Sequence, residues 1–424
     1  MSNQDHAFPL DRYSFLNEGV ASLVFAYNAL SADDPMTGMV LRVPKFPYRS
    51  QEQDNVARQR IRQVFSALFG EEYILTEEPV VISYESLRAL LDKSQPSRSL
   101  NRYSVFNSDH VIGSGDWPAW MMDNMTVIDA QTLFTAELKP KWGFLPILGQ
   151  YRTKTVQSFI CRHCLYQSLK HSDGRVSEVS TFCPLDFFSS SRARRKSSLS
   201  DMLITPQNNF VVFDDRGRPL FDEASRPINN ADLVDLVDVV LSNHESLLGR
   251  IQHAQQLSRM ALGHVAALLP NITEDQWKEL NEDPLSHSLV ESIRSSPICD
   301  IALQDFGPCL RTGKRYMQHL PSIQRPSLPK PQVNNVVDEL RKVLLEMTAR
   351  DISLMITFSP TTSNTPSRTK SRLPIHTAVV NGSFWRYKIA VVDLECKYPK
   401  KLPHWCDVDQ TMLKHFEKLC ALQD

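Results

Sequence analysis

Apolar residues alternate with polar ones in some stretches of this chain and recur at helical spacing in others. Ser22-Leu23-Val24-Phe25-Ala26-Tyr27 and Met39-Val40-Leu41-Arg42-Val43 flank a polar turn around Ser31 to Asp34, which predicts a small antiparallel sheet within residues 12 to 45. Val56, Ile61, Val64, Phe65 and Leu68 predict a helix ending near Gly70, and Pro79 to Ile82 a further strand. The polar segment 94–116 reads as a loop. Trp120 to Met125 follows as an apolar strand turning into Asp123-Asn124, a candidate hinge.

Farther along, Cys161 to Lys170 reads as a helix whose Arg162, Tyr166 and Lys170 share one polar, basic face. Residues 189–200, rich in Ser and Arg, are expected to form a mobile loop. Leu233, Leu236, Val237, Val240 and Leu241, then Leu257, Ala261, Leu262, Val265 and Leu268, predict a helical insert. Another helix, from Val333 to Met347, runs into Arg350-Asp351 and an apolar strand. Thr377 to Val380 and Tyr387 to Val392 flank Asn381-Gly382, a hairpin signal.

The 424 residues are 42% hydrophobic and 22% charged, with a net charge of -1. There is thus no global basic field of the sort a nonspecific nucleic-acid binder shows, and any anion site must be local. The N-terminus lacks a basic region followed by an apolar core, and no run approaches the roughly 18 apolar residues of a membrane helix. A nuclear or cytoplasmic protein without membrane insertion is therefore expected. Eight cysteines suit thiols or a metal site better than disulfides in such a compartment. Cys161 and Cys164 have zinc-knuckle spacing, but no second pair lies close in sequence.

The local anion site is visible in Glu137-Leu138-Lys139-Pro140-Lys141-Trp142-Gly143-Phe144. On a strand, Glu137, Lys139 and Lys141 would point to one face, although an edge strand also carries lysines to discourage pairing. Two acids then bracket the hairpin. Asp351 precedes its apolar strand and Asp393 follows its end, the order in which phosphotransferases place a proton-accepting Asp and a magnesium-holding Asp. Lys397, Lys400 and Lys401 make the tail basic, which suits a highly phosphorylated ligand.

These residues together resemble the inositol-pentakisphosphate 2-kinases, which carry an E-x-K-P-K-x-G-F motif. Glu18-Gly19 with Leu23-Val24, Cys161-Arg162 through Gln167 to Lys170, Pro184-Leu185-Asp186-x-Phe188-Ser189 and Asp393-Leu394-x-x-Lys397 match in order, over roughly Ser14 to Trp405. The resemblance implies an α+β, two-lobed kinase-like fold: a small antiparallel-sheet lobe over residues 1–124, and a larger α/β lobe over 125–424 with a helical inositol-phosphate-binding insert at about 225–350. It implies ATP-dependent phosphorylation of inositol 1,3,4,5,6-pentakisphosphate at its 2-hydroxyl, with Mg2+ as cofactor and a monomeric chain.

By the same resemblance Gly19 and Arg42 hold ATP phosphates, Asp123 lies at the hinge and Glu137 near the nucleotide. Lys139, Lys141, Lys170, Asn208, Asn209, Lys397, Lys401 and Trp405 grasp the pentakisphosphate, with Lys139 closest to the transferred group. Asp351 is the catalytic base, and Asp393 binds the nucleotide's metal. Asn17 stands where the family usually has its first loop glycine, and Glu395 replaces a usual Asp or Ser. Some members hold zinc in the insert, and His287, Cys299, Cys309 and His319 occur here in a compatible order but with an unusual spacing. A noncatalytic inositol-phosphate or phosphoinositide receptor on the same fold is the alternative.

Overall fold

A computed structural model describes residues 9–19, 21–31, 34–45, 51–111, 115–145, 160–258, 260–296, 301–307, 335–361 and 371–421. Its strands are β1 (Tyr13–Glu18), β2 (Ser22–Tyr27), β3 (Met39–Pro44), β4 (Glu78–Ser83), β5 (Asp116–Asp123), β6 (Phe134–Leu138), β7 (Phe210–Asp214), β8 (Pro219–Leu220), β9 (Ser353–Thr361), β10 (His376–Val380) and β11 (Ser383–Val392). The helices are α1 (Gln51–Phe69), α2 (Tyr84–Ser94), α3 (Leu100–Val105), α4 (Arg162–Ser172), α5 (Pro184–Phe187), α6 (Arg192–Ile204), α7 (Asn230–Asn243), α8 (Glu245–Ala254), α9 (Leu262–Leu268), α10 (Glu274–Glu282), α11 (His287–Ser295), α12 (Val336–Ala349) and α13 (Leu402–Ala421).

Two antiparallel sheets carry the fold, so the chain is α+β. The first has the order β1-β2-β3-β5-β4, with Val24 opposite Arg42 and Leu41 opposite Met121. Its inward residues Leu23, Phe25, Leu41 and Val43 close a core with Ile82, Trp117 and Leu87, Leu90 and Leu91 of α2. Ser83 caps α2 by accepting from the Ser86 amide, so that helix turns directly off β4 onto the sheet.

The second sheet runs β10-β11-β9-β6-β7-β8. Ala136, Leu138, Leu354, Ile356, Phe358 and Ile389 of its strands share one large core with α6, α7 and α8. That core also takes Val64, Phe65, Leu68 and Phe69 from α1. Ile74 bridges Val391 in parallel, and Arg372 reaches Glu78 at 2.7 Å, so further contacts link the regions around the two sheets. The β10–β11 turn uses left-handed Asn381 (φ 51°) and Gly382 (φ 78°), as a two-residue primed hairpin requires.

Three local expectations change. Residues 94–116 contain α3 and two 3-10 turns as well as loop. The Ser/Arg-rich segment is largely helix α6, because acids from neighbouring elements neutralise its cations. Arg195 and Arg192 both meet buried Asp238, Arg194 meets Asp186 and Asp305, and Lys196 meets Asp235. Strand β6 ends at Leu138, so the alternation that would align Lys139 and Lys141 stops short of them. The strand into Asp123, the hairpin and the helix carrying Leu233 to Leu241 form as expected, but the second helical pattern gives α9 only from Leu262, leaving Leu257 and Ala261 outside it; Cys299, Cys309 and His319 lie outside the described residues.

Candidate active site

Register brings the acids together. β9 is antiparallel to both β6 and β11, with Leu354 opposite Leu138 and Ser353 opposite Val392, so the ends of β6 and β11 lie beside the start of β9. Glu137, Ser353 and Asp393 converge there: the Ser353 hydroxyl lies 2.7 Å from Glu137 Oε1 and 3.1 Å from Asp393 Oδ2. Lys139 Nζ donates to Asp393 Oδ2 at 2.7 Å and stands 3.7 Å from Glu137.

The second acid lies at the end of a helix. Asp351 follows α12, its amide donating to the Thr348 carbonyl, and its two oxygens are 3.4 Å from Lys141 Nζ and 2.6 Å from Lys397 Nζ. Both carboxylates keep about half of their side-chain surface open, 50% for Asp351 and 47% for Asp393, which suits groups that must meet a ligand. Burial alone would raise the Asp351 carboxyl, but Lys141 and Lys397 overcome it and hold the group ionised below its usual range. Burial opposes the charge of Asp393 likewise, and Lys139 lowers that carboxyl in turn. Lys139 is raised because Asp393 outweighs its desolvation, whereas burial leaves Lys141 lowered despite Asp351.

A built turn presents Lys141. It adopts φ 57°, and buried Gln255 fastens the backbone on either side: its amide donates to the Lys141 and Ala349 carbonyls at 2.6 and 3.2 Å, and its oxygen accepts the Gly143 N–H at 2.9 Å. The guanidinium groups of Arg162 and Arg350 both lie over Trp142, 4.3 and 4.1 Å from its ring centre. Gly143 is required by contact, since a Cβ there would fall 2.1 Å from the Phe188 ring. Asp393 and Gln207 are also left-handed, at φ 62° and 45°, so two of the four non-glycine residues with positive φ among the described residues belong to this cluster, while Gln207 exchanges hydrogen bonds with Gln167 of α4.

The remaining candidates sort by distance from that centre. Arg42 arrives from the first sheet, braced by Ser22 at 3.1 Å and paired with Glu395 at 2.5 Å. Lys170 lies over the Tyr166 ring at 4.9 Å, near enough for its charge to act on Lys141. Asn209 is buried with an unpartnered side-chain oxygen, and its carbonyl accepts the Lys139 N–H at 2.8 Å, while Asn208 is exposed beside it. Gly19 closes a backbone turn with Ser22 at 2.9 Å, ahead of which Glu18 is locked between Arg98 (2.7 Å) and Lys45 (2.6 Å).

Asp123 is placed differently. It is buried and accepts the Arg372 amide at 2.9 Å, on the wall of a cavity of about 280 Å3 with Arg62, Glu71 and Thr76. Lys401 is exposed on a 3-10 turn, and Trp405 is half-buried against the α9–α12–α13 core; neither makes a described contact with the lysine–carboxylate cluster.

Ser353, Gln255 and the Arg162–Trp142–Arg350 stack were missed in the sequence. Only Ser353 had a usable signal, lying two residues from Asp351 at the mouth of an alternating strand. Gln255 belongs to the end of an ordinary helical pattern, and nothing in its spacing predicts the loop it holds.

The family profile described as inositol-pentakisphosphate 2-kinase matches residues 15–411. A Danio rerio protein named inositol-pentakisphosphate 2-kinase is 22% identical over 411 residues, covering 84% of this chain and 82% of that protein. One from Oryza sativa subsp. indica, with the same enzyme name, is 24% identical over 459 residues, covering 95% of this chain and 93% of its own. An Arabidopsis thaliana relative of that name is also 24% identical and covers 87% of this chain and 79% of its own.

Proposed function

The chain belongs to the inositol-pentakisphosphate 2-kinase family, and from that premise we propose that the Lys–Asp cluster transfers the γ-phosphate of ATP to the 2-hydroxyl of inositol 1,3,4,5,6-pentakisphosphate, giving the hexakisphosphate. The observation that carries this reading is the pair of ionised carboxylates, Asp351 held by Lys141 and Lys397 and Asp393 by Lys139, where the start of β9 meets the end of β11.

Both reactants are polyanions, so catalysis is mainly positioning and charge neutralisation. Asp351, ionised and half open, accepts the proton of the attacking 2-hydroxyl. Lys141 and Lys397 flank it and, with Lys170, Asn208, Asn209 and the outer Lys401 and Trp405, hold the ring phosphates. Lys139 stands between the two carboxylates' territories and follows the transferred group. Arg42 and the turn at Gly19 cover the nucleotide phosphates, with Asp123 near the base. Magnesium fits the all-oxygen donors Asp393, Ser353 and Glu137 and, when bound, neutralises charge on the β- and γ-phosphates.

In this reading the first sheet is the nucleotide-covering lobe, residues 1–124, and residues 125–424 are the catalytic lobe of a kinase-like fold. The protein is read as a monomer without membrane insertion, in the nucleus or cytoplasm. Among the described residues no helix is long and apolar enough to cross a membrane. Incubation with ATP, magnesium and the pentakisphosphate, followed by chromatographic separation of positional isomers, should give the 2-phosphorylated product. Ligand binding without ATP consumption would replace this reading with that of a receptor.

A further inference from the structure

Three cysteines meet at the N-terminal end of α4, two from its cap and first turn and one from the residue before α5. Cys161 Sγ lies 3.2 Å from Cys164 Sγ and 3.9 Å from Cys183 Sγ, and all three sulfurs fall within 4.8 Å of one another. We propose that Cys161, Cys164 and Cys183 form a thiolate site for a thiophilic d10 cation, with zinc as the expected occupant. The proposal stands apart from the phosphotransfer chemistry.

Four features support a built site. A tetrahedral zinc with Zn–S bonds of about 2.3 Å needs sulfurs about 3.8 Å apart, and the observed separations bracket that value. Cys161 is the N-cap of the 11-residue α4, where its sulfur already accepts the Cys164 N–H at 3.4 Å. A helix N-terminus favours the thiolate that a metal requires. The sulfurs also stand apart from bulk water, since Cys161 and Cys183 are buried and Cys164 partly so.

The surroundings set the ligand class. Cys161 and Cys183 are fully buried among Ile160, Leu165, Leu169, Leu185, Met412 and Phe416, with no carboxylate among the clustered donors. An all-sulfur set rejects magnesium and calcium and selects soft ions. Cys164 is only partly buried, so an ion can enter from its side, and a solvent molecule can complete the coordination there.

Such an ion would tie the start of α4 to the segment leading into α5. The span between Cys161 and Cys183 contains Lys170, and Arg162 in its first turn is one of the two guanidinium groups stacked on Trp142. A metal here therefore fixes the helix that flanks the Lys141 turn without touching the reacting groups.

The test is metal content and spectroscopy on the full chain. Protein stripped with chelator under reducing conditions and reloaded with Zn2+ should retain about one equivalent after desalting, and Co2+ loading should give intense sulfur-to-metal charge-transfer absorption in the near ultraviolet. Cys183→Ser should lose the stoichiometric zinc and the band, while Cys406→Ser, whose sulfur lies elsewhere beside the Leu262 carbonyl, should keep both. If Cys183→Ser fails to fold, Cys164→Ser, whose side chain is only partly buried, takes its place, and retention of the zinc and the band in that variant would assign the metal elsewhere. No retained zinc, a cobalt spectrum without thiolate bands, or an isolated protein in which Cys161 and Cys164 are joined as a disulfide would overturn the proposal.

Discussion

Two ionic clusters of this protein are built from the same residue types and differ in closure. Around Glu18, Arg98 donates two hydrogen bonds and Lys45 a third contact, and all three side chains are at most 4% exposed. Around Asp351 and Asp393, three lysines pair with two carboxylates that stay half open. The first cluster is closed: each charge has an internal partner and almost no surface facing solvent. In the second, the pairs are arranged so that a ligand can replace one partner with another. Residue type alone therefore separates structural from chemical charge poorly, whereas the openness of the acid does so well.

The comparison yields predictions in descending size. Asp351→Asn should lower kcat by about 1,000-fold, the usual worth of a positioned base, with pentakisphosphate binding and thermal midpoint nearly unchanged. Calorimetric titration and a phosphate-transfer assay check this, and wild-type turnover would remove Asp351 from the mechanism. Arg98→Ala should do the reverse. It leaves the buried Glu18 carboxylate to Lys45 and should cost about 1.5–3 kcal/mol of stability in denaturant unfolding, the worth of hydrogen bonds to a charged group, while kcat of the remaining folded protein changes little. Lys139→Ala should reduce kcat/KM by about 10- to 100-fold, the worth of one hydrogen bond to a charged group, with only a slight stability change because Asp393 can be solvated.

Acidity separates the clusters more gently. Glu18 is lowered: its burial is outweighed by Arg98 and Lys45. Its stabilising contribution is present above the unfolded carboxylate value and is lost as pH falls through the lower folded value, so Arg98→Ala should flatten the acid limb of the stability curve. Lys141 is lowered instead, so it sheds its proton sooner as pH rises. The alkaline limb of kcat/KM for the pentakisphosphate should then lie below a lysine's ordinary 10.5 and move upward in Lys141→Arg. An alkaline limb unaffected by that change would show that Lys141 does not hold the substrate in its charged form.

Much of this was legible in the chain. Four of the five strands of the first sheet, the helix from Gln51, the Asn-Gly hairpin and the placement of Asp351 and Asp393 on either side of it follow from periodicity and turn chemistry, whereas β1 was not foreseen. Those signals are local, and so were the successes. The helix at 192–204 was not legible, because its arginines are neutralised by Asp186, Asp235, Asp238 and Asp305, and only folding brings those acids near. The same holds for Gln255, whose three partners come from two other segments, and for Cys183, which joins Cys161 and Cys164 from the far end of α4. The partners of Asp123 were hidden for a related reason, since the Ser371 hydroxyl and the Arg372 amide reach it from far along the chain.

The left-handed backbone at Lys141, Gln207 and Asp393 has a consequence for protein engineering. Each non-glycine residue held there costs on the order of 1–3 kcal/mol, so a search for thermostable variants would be drawn to glycine at these three positions. Two of them carry charges of the reacting cluster. Improvement guided by melting temperature alone would thus harden the scaffold by erasing its chemistry, and a robust biocatalyst from this chain would have to be sought at sites remote from those turns.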